Sequence, residues 1–212
     1  MGKIKVDKKT GLRHREGTLD LYVIKEQSTY SKLFEYVKGK VVLDVGGNIG
    51  AFAYNALEYG ASEVHSFEPE QANIKMYKSQ KLKSKLYEFA VTNKDGVANF
   101  YVNNMKNKGT HTLRKTIGRD SIEVKTVAFE KVLKKVKPYA IKIDIEGGEY
   151  GIDFKLIPKS VKVIAVELHL NPVKNRENGK KLLKYLKSEF EELSSSKVTE
   201  KNWTTLFVGI RK

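Results

Sequence analysis

The stretch that decides the fold of this chain is Val41–Gly50, VVLDVGGNIG. A run of β-branched and apolar residues stops at Asp44, and three glycines follow within the next six positions. The next ten residues, AFAYNALEYG, have the apolar spacing of a helix. A buried strand, a tight glycine turn and the start of a helix bring backbone N–H groups close to a nucleotide-like ligand.

The residues of the turn select among the ligands of such folds. A dinucleotide site has glycines at the first, third and sixth positions of the turn. Counting from Gly46, the third position is Asn48 and the sixth is Ala51, and no Gly-Lys-Ser or Gly-Lys-Thr ending of a P-loop follows. Asp44 repels phosphates and attracts cationic or hydroxyl-bearing groups. S-adenosylmethionine fits best, because it carries an ammonium, a sulfonium and a ribose diol but no phosphate.

A second acid supports this ligand. The segment from Glu63 to Phe67 alternates as a strand and runs into Glu68-Pro69-Glu70, so that Glu68 closes a strand 24 residues after Asp44. An acid about 20 residues after a glycine turn holds a ribose diol in doubly wound folds. The alternative is a surface glutamate that caps the following helix, a role that Glu70 would fill equally well.

The third motif is Ala140–Glu149, AIKIDIEGGE, in which isoleucines alternate with Lys142, Asp144 and Glu146. One face of this strand is therefore charged, which is costly in a core without a ligand or partner. Because a neighbouring strand is predicted at Val161–Leu170, the sequence favours a central position in the sheet over an edge position with one face exposed to solvent. Acids at the end of a central strand lie at the carboxyl edge of the sheet, where α/β proteins bind ligands.

These motifs resemble those of the FkbM-type family of S-adenosylmethionine-dependent methyltransferases. The resemblance rests on Asp44–Gly50, Phe67–Pro69 and Lys142–Glu149, and it extends from about Val41 to His169. The Lys-Ile-Asp-Ile-Glu-Gly-x-Glu element is its most specific part, and Gly47 stands where many relatives carry alanine. The resemblance implies a class I methyltransferase that methylates a hydroxyl, often on a sugar or a polyketide-type product.

The resemblance also implies where the cofactor binds. The turn after the first core strand would hold the methionine moiety, Glu68 the ribose, and backbone groups near Ala90 the adenine edge. The cofactor-binding residues expected on this basis are Asp44, Val45, Gly46, Gly47, Asn48, Gly50, Glu68, Pro69, Phe89, Ala90 and Val91.

Methyl transfer to a hydroxyl needs a group that aligns the acceptor oxygen and removes its proton. Asp144 is the first candidate and His169 the second, because His169 and Glu167 share one face of the neighbouring strand near its carboxyl end. Glu146 and His111 are the remaining catalytic candidates. Asp144, Glu167 and His169 are also candidate ligands of a divalent cation such as Mg²⁺, which the sequence does not decide.

Alternating strands and helices predict an α/β fold: a class I methyltransferase, Rossmann-like, doubly wound and mostly parallel seven-stranded sheet with one antiparallel strand. We expect residues 1–212 to form a single methyltransferase domain. Within it we predict strands at Leu19–Ile24 and Lys85–Val91, and a helix at Ser28–Val37. Residues 1–17 read as a basic, flexible N-terminal arm, and residues 103–121, which include His111, as a substrate lid or a mobile surface loop.

The net charge of +15, from 40 Lys and Arg against 25 Asp and Glu, leaves other functions open. A polyanion partner would suit an RNA ribose 2′-O-methyltransferase with a Lys-Asp-Lys-Glu set, for which Asp144, Lys142, Lys162 and Glu167 are candidates. The Asn/Asp-Pro-Pro-Tyr motif of amino-group methyltransferases does not occur at Asp144. A non-catalytic basic binding module is a third hypothesis.

We favour a carbohydrate acceptor, such as rhamnose or fucose methylated at O-2 or O-3, over RNA. The choice of a sugar as the acceptor is what the family resemblance implies. The chain has no cysteine and no apolar run long enough to cross a membrane. We expect a cytoplasmic protein without disulfides or thiolate metal sites. It is also compatible with one domain of a larger glycan-assembling polypeptide.

Overall fold

The fold is taken from a computed structural model of the chain, in which residues 3–102, 112, 120–170, 173–195 and 203–212 are described. The strands of this part of the chain are β1 Ile4–Val6, β2 Arg13–Arg15, β3 Val41–Val45, β4 Glu63–Phe67, β5 Lys85–Tyr87, β6 Ala90–Thr92, β7 Gly96–Val102, β8 Asp120–Ala128, β9 Ala140–Ile143, β10 Val163–His169, β11 Phe190–Ser195 and β12 Thr204–Arg211. Its helices are α1 Asp20–Lys25, α2 Ser31–Phe34, α3 Ala51–Glu58, α4 Gln71–Ser79, α5 Phe129–Val136 and α6 Val173–Glu189.

The central sheet confirms the predicted fold class. Its seven strands lie in the order β11-β12-β10-β9-β3-β4-β5. β3 pairs in parallel with β4 and β9, and β10 in parallel with β9, whereas β12 runs antiparallel to both of its neighbours. The sheet is therefore mostly parallel with one antiparallel strand. Its central strand is β9, which lies between β10 and β3, the strand that ends in the glycine turn.

Helices cover both faces of this sheet because its central strands are apolar on both sides. On one face α5 packs Phe129 and Leu133 against a core that contains Ile141 and Ile143 of β9. On the other face α3 packs Phe52 against Val42 and Val163. The carboxyl ends of β3, β4, β9 and β10 consequently meet at one edge, which is open to ligands.

The predicted strand at Lys85–Val91 is divided between two sheets. β5 ends at Tyr87, and Ala90–Thr92 pairs with β8 in a separate three-stranded sheet of order β6-β8-β7. No glycine or proline marks this break in the sequence. The break results from a long-range pairing with residues 120–128, which local alternation cannot reveal.

The predicted strand at Leu19–Ile24 was wrong: Asp20–Lys25 is helical. Asp20 accepts hydrogen bonds from the backbone N and the guanidinium of Arg15, at 2.8 Å each. Buried Asp20 and Ile24 are four residues apart and share one helix face. The predicted helix at Ser28–Val37 is a 3₁₀ turn, Glu26–Tyr30, followed by the short α2.

Residues 4–15 of the predicted N-terminal arm form a hairpin of β1 and β2. Arg13 of the hairpin exchanges backbone hydrogen bonds with the side chain of Gln80 at 2.8 Å. Within the described residues, no helix has the length and apolarity needed to cross a membrane.

Candidate active site

Gly46 brings β3 and β9 into close contact at the edge of the sheet. Its φ is +91°, and a Cβ built on it would lie 1.9 Å from the backbone oxygen of Asp144. Only glycine fits there, because the backbone conformation and the close approach each exclude a side chain. The turn and the acidic end of β9 are thereby held together as one surface.

Beneath this surface lies a buried ion pair. Asp44 is fully buried, and its Oδ1 lies 3.2 Å from Nζ of Lys142, its partner across the β3–β9 ladder. Its Oδ2 accepts a hydrogen bond from Ser66 Oγ at 2.8 Å. Lys142 Nζ also donates to the carbonyl oxygen of Gly46 at 2.6 Å and lies 3.7 Å from Asp144 Oδ2. Asp44 thus faces Lys142 rather than the open edge.

This placement bears on the predicted role of Asp44, which stays a prediction. We expected its carboxylate to contact a cationic ligand, but Asp44 has no exposed surface from which to do so. Lys142 already compensates its charge. The acid acts on the turn indirectly, through the lysine that holds the Gly46 carbonyl.

Glu68 closes β4 and joins the glycine turn to the following helix. One of its carboxylate oxygens accepts from the backbone N of Asn48 at 2.8 Å, and the other from the backbone N of Glu70 at 2.9 Å. Burial raises the pKa of Glu68 to about 7, against the lowering effect of these hydrogen bonds. Glu70 instead caps α4, by accepting from the backbone N of Ala72 and of Asn73. The two acids of the Glu-Pro-Glu run therefore have separate roles.

A cleft lies over the turn and encloses about 570 Å³ of non-atom space, part of which is open to solvent. It is lined by Val45, Gly46, Asn48, Phe67, Glu68, Pro69, Asn73, Phe89, Ala90, Val91, Phe100, Asp144, Ile145 and Glu146. Eight of the residues expected at the cofactor are in this lining, whereas Asp44, Gly47 and Gly50 are not. Sequence reasoning missed Asn73 and Phe100, which come from α4 and from the second sheet.

At one end of the cleft, two acids from the loop that follows β9 meet a histidine from β10. Nε2 of His169 lies 3.3 Å from Glu146 Oε2 and 3.8 Å from Asp144 Oδ1. On the other side of the ring, Nδ1 lies 3.3 Å from Oε1 of the fully buried Glu149. Three of the catalytic candidates are therefore neighbours.

Further acids surround this cluster. Glu167 lies on β10, and the Tyr30 hydroxyl donates to its Oε2 at 3.4 Å. Glu26, which precedes Tyr30 in the 3₁₀ turn, interacts electrostatically with Asp144 and Glu167. Sequence reasoning did not single out Glu26 or Tyr30, because nothing local in the sequence shows that the N-terminal segment reaches this edge. It included Glu149 in the family element but gave it no role.

The crowding of acids shifts their protonation. Burial, followed by the neighbouring carboxylates, raises the pKa of Glu26 to about 8 and that of Glu167 to about 7. Burial also raises the pKa of Glu146 to about 8, although the charge of His169 opposes it. For His169, burial lowers the pKa, but the hydrogen bond to Glu149 and the nearby acids outweigh it and raise the value to about 10.

One sequence-based candidate, Lys162, lies elsewhere. Lys162 stands immediately before β10, at the amino end of the strand that carries His169 at its carboxyl end. It is therefore on the opposite edge of the sheet from Asp144 and does not complete a Lys-Asp-Lys-Glu set. His111, with most of the expected lid at 103–121, lies outside the described residues.

The sequence matches the family model of the methyltransferase FkbM domain over residues 44–193, more than half of the 212 residues. The chain belongs to the FkbM family of methyltransferases. A search of curated proteins found no match for this FkbM chain. Membership of the family implies S-adenosylmethionine as the cofactor.

Solved structures confirm the fold. The FkbM methyltransferase of Methylobacillus flagellatus is similar with a TM-score of 0.51 and 12% identity, over 80% of this chain and 43% of that one. An rRNA methylase of Streptococcus thermophilus has a TM-score of 0.52 and 9% identity, over 87% and 94% of the two chains. A ribosomal protein L11 methylase of Lactobacillus delbrueckii has a TM-score of 0.51 and 11% identity, over 90% and 79%. One fold thus serves methylases named for different acceptors, so it does not choose the acceptor of this FkbM protein.

The cleft fits the cofactor of the family. The bare backbone of Gly46 leaves room for close approach, and the carboxylate of Glu68 offers acceptors for a ribose diol. Phe89 and Phe100 supply apolar surface for a planar base.

Proposed function

We propose that this protein is an S-adenosylmethionine-dependent O-methyltransferase that acts on a carbohydrate hydroxyl, such as O-2 or O-3 of rhamnose or fucose. One observation carries the proposal: Asp144 and Glu146 line the same cleft as Gly46, Asn48 and Glu68. A cofactor seated on the turn therefore has carboxylates beside it. The sugar itself rests on the usual acceptors of the family.

S-adenosylmethionine, when bound, supplies a methyl carbon activated by its sulfonium. The residues of the chain then have three tasks: Glu68 accepts the ribose hydroxyls, the Gly46 turn admits the methionine moiety, and Ala90 with Val91 lines the base. Alignment of the acceptor oxygen in such a site supplies much of the rate enhancement of a displacement reaction.

Asp144 is the group that we assign to the acceptor proton. It is exposed to the cleft, and two cationic side chains, Lys142 and His169, lie 3.7 and 3.8 Å from its oxygens. Both place positive charge beside the carboxylate that would take the proton. His169, with its raised pKa of about 10, is protonated at neutral pH and is a poorer base. Its imidazolium instead orients the acids around it.

The acceptor end of the cleft favours a neutral sugar over a nucleic acid. Asp144 and Glu146 line it, and Glu26 and Glu167 interact electrostatically with Asp144. Sugar hydroxyl groups can donate hydrogen bonds to carboxylates and accept them from protonated carboxyl groups, and the raised pKa values of about 7 to 8 for Glu26, Glu146 and Glu167 allow both forms near neutral pH. Many surface lysines are also paired with acids, as Lys78 is with Glu88.

RNA ribose 2′-O-methylation is the second candidate function, because the net charge of +15 favours a polyanion. Transfer of a tritiated methyl group from S-adenosylmethionine, measured with deoxyhexose glycosides and with ribosomal RNA, separates the two. We expect label on the glycoside at a rate that is insensitive to salt. Methylation of RNA alone, at a rate that falls steeply between about 50 and 200 mM salt, would contradict the carbohydrate acceptor and support RNA ribose 2′-O-methylation.

Asp144→Asn is expected to lower kcat by about 10²–10⁴-fold, since the amide cannot accept the hydroxyl proton. The amide has nearly the shape of the carboxylate, so the affinity for S-adenosylhomocysteine should stay within about threefold of the original, well under 1.4 kcal/mol. Single-turnover kinetics and calorimetry measure the two quantities. Asp153→Asn, at an exposed aspartate that caps a 3₁₀ turn, is the matched control. An Asp144→Asn variant with unchanged kcat would remove Asp144 from the chemistry.

The single-domain organisation of residues 1–212, a cytoplasmic location and membership of a larger glycan-assembling polypeptide stay predictions. The chain covers 43% of the FkbM structure from Methylobacillus flagellatus, so that protein has substantial sequence beyond the shared domain.

A further inference from the structure

We propose that Asp144, Glu146 and His169 bind a divalent cation at the acceptor end of the cleft, with Glu149 as the outer partner that orients the histidine. This inference deepens the proposed function, on which its catalytic part rests. The site differs from the sequence-based set of Asp144, Glu167 and His169, because Glu146 takes the place of Glu167.

Three potential ligand atoms converge from two strand ends. Asp144, Glu146 and His169 each offer one such atom, and the three atoms lie within 4.8 Å of one another. His169 Nε2 lies 3.8 Å from Asp144 Oδ1 and 3.3 Å from Glu146 Oε2. Ligands about 2.0–2.2 Å from a common ion are separated by about 3–4 Å, so small side-chain adjustments bring the three onto one cation. Glu167 is directed instead to the Tyr30 hydroxyl.

Glu149 is the independent observation that points to a metal ligand. It is fully buried, and its Oε1 accepts from the backbone N of His169 at 2.7 Å and lies 3.3 Å from the Nδ1 of the same residue. Its Oε2 accepts from the backbone N of Gly147 at 2.8 Å. A carboxylate held this rigidly fixes Nδ1 as the protonated nitrogen and turns Nε2 toward the two acids. Metal-binding histidines are oriented by such outer carboxylates.

The loop after β9 is shaped to deliver the second acid. Glu146 has φ +54° and Gly147 has φ +96°, both left-handed. A non-glycine residue in this region is strained, and strain of this kind is retained at functional sites. The reversal of the chain lets Asp144 and Glu146, two residues apart, reach the same ring nitrogen.

The ligand set selects the class of ion. A set of two carboxylate oxygens and one imidazole nitrogen, without sulfur, suits Mn²⁺ or a similar divalent cation better than it suits Mg²⁺, which is usually bound by oxygen ligands alone. Because imidazole binds metal in its neutral form, the Nε2 proton of His169 passes to solvent when the cation binds. The cation retains open positions, since these three residues fill only part of its coordination shell. An acceptor hydroxyl in one of them would be acidified next to Asp144.

The test is a titration of the full-length protein with Mn²⁺, followed by the loss of the electron paramagnetic resonance signal of the free ion. S-adenosylhomocysteine is present throughout, and its own affinity is measured by calorimetry on the same sample. We expect one Mn²⁺ per chain. His169→Gln should weaken Mn²⁺ binding at least about 100-fold, and Glu149→Gln about 10- to 100-fold.

Glu167→Gln is the matched control, because it removes a carboxyl group that interacts electrostatically with Asp144 and His169 without removing a proposed ligand. We expect it to change the affinity for Mn²⁺ by less than about threefold, well under 1.4 kcal/mol. Equal weakening by Glu167→Gln and His169→Gln would show diffuse attraction and overturn the site, as would no Mn²⁺ binding by the original protein. Glu146→Gln, in a partly exposed loop, serves as the ligand variant if His169→Gln does not fold. Mn²⁺ binding without S-adenosylhomocysteine binding would refute the proposed function but retain the site.

Discussion

Replacing Lys142 with methionine is expected to lower the free energy of unfolding by about 3–5 kcal/mol. The substitution leaves the carboxylate of Asp44, which is fully buried, without its cation at 3.2 Å. It also removes the donor to the Gly46 carbonyl, at 2.6 Å. Methionine has nearly the volume of lysine, so loss of packing contributes little and the uncompensated charge dominates.

The Asp44→Asn/Lys142→Met double variant should recover most of this loss. With both charges removed, no buried ion remains unpaired, and the amide oxygen of the introduced asparagine can still accept from Ser66 Oγ. Urea unfolding of the two single variants and the double variant gives the coupling energy directly. Lys162→Met, at an exposed lysine near the other end of the sheet, is the control and should change the unfolding free energy by less than about 0.5 kcal/mol. A double variant no more stable than Lys142→Met would contradict the assigned pairing.

Gly46→Ala is expected to cost about 2–5 kcal/mol of stability and to abolish binding of S-adenosylhomocysteine. Two effects combine: φ is +91°, and the added Cβ would lie 1.9 Å from the Asp144 backbone oxygen. Since that oxygen belongs to the backbone, β9 has to move away from β3. The cleft that both strands line is then distorted.

Gly17→Ala separates the two effects. Gly17 also has a left-handed φ, +74°, but nothing lies within 4 Å of a Cβ built there. It should therefore cost only the backbone term, about 1–2 kcal/mol, and leave the cofactor affinity unchanged. Thermal unfolding and calorimetry measure both quantities. Similar losses for the two variants would mean that the contact between β3 and β9 is not as close as described.

The sequence predicts the parts of this site that lie at strand ends. In a parallel sheet the carboxyl ends of all strands share one edge, so Asp44, Glu68 and Asp144 could be placed there from alternation and glycine turns alone. The same patterns predicted the sheet and its antiparallel strand, which the structure confirms. Periodicity also showed that Lys142 would need a buried partner.

The sequence does not predict contacts that depend on strand order and register. That the partner of Lys142 is Asp44 follows from the β3–β9 pairing, which aligns these two residues. The approach of Glu26 and Tyr30 to Glu167 depends on how the N-terminal segment crosses the edge of the sheet. Neither is encoded in a local pattern.

Local sequence patterns likewise do not predict which groups an individual carboxylate contacts. Two acids in Glu-Pro-Glu are equivalent by spacing, yet Glu70 caps α4 while Glu68 lines the cleft. Asp44 is predicted to contact the ligand, and the structure shows that its carboxylate is also paired with buried Lys142. In each case the hydrogen-bond donors that surround the carboxylate determine its role, and these come from several segments.

The most direct test of the account is a calorimetric titration with S-adenosylhomocysteine of the original protein, Glu68→Ala and Glu70→Ala. We expect micromolar binding by the original protein. Glu68→Ala should weaken binding at least about 100-fold, because two charge-assisted hydrogen bonds to the ribose diol are worth about 3 kcal/mol or more. Glu70→Ala should lose about 1 kcal/mol of stability but keep its affinity, since it removes only a helix cap. No binding by the original protein, or equal weakening by the two variants, would contradict a cofactor site in this cleft.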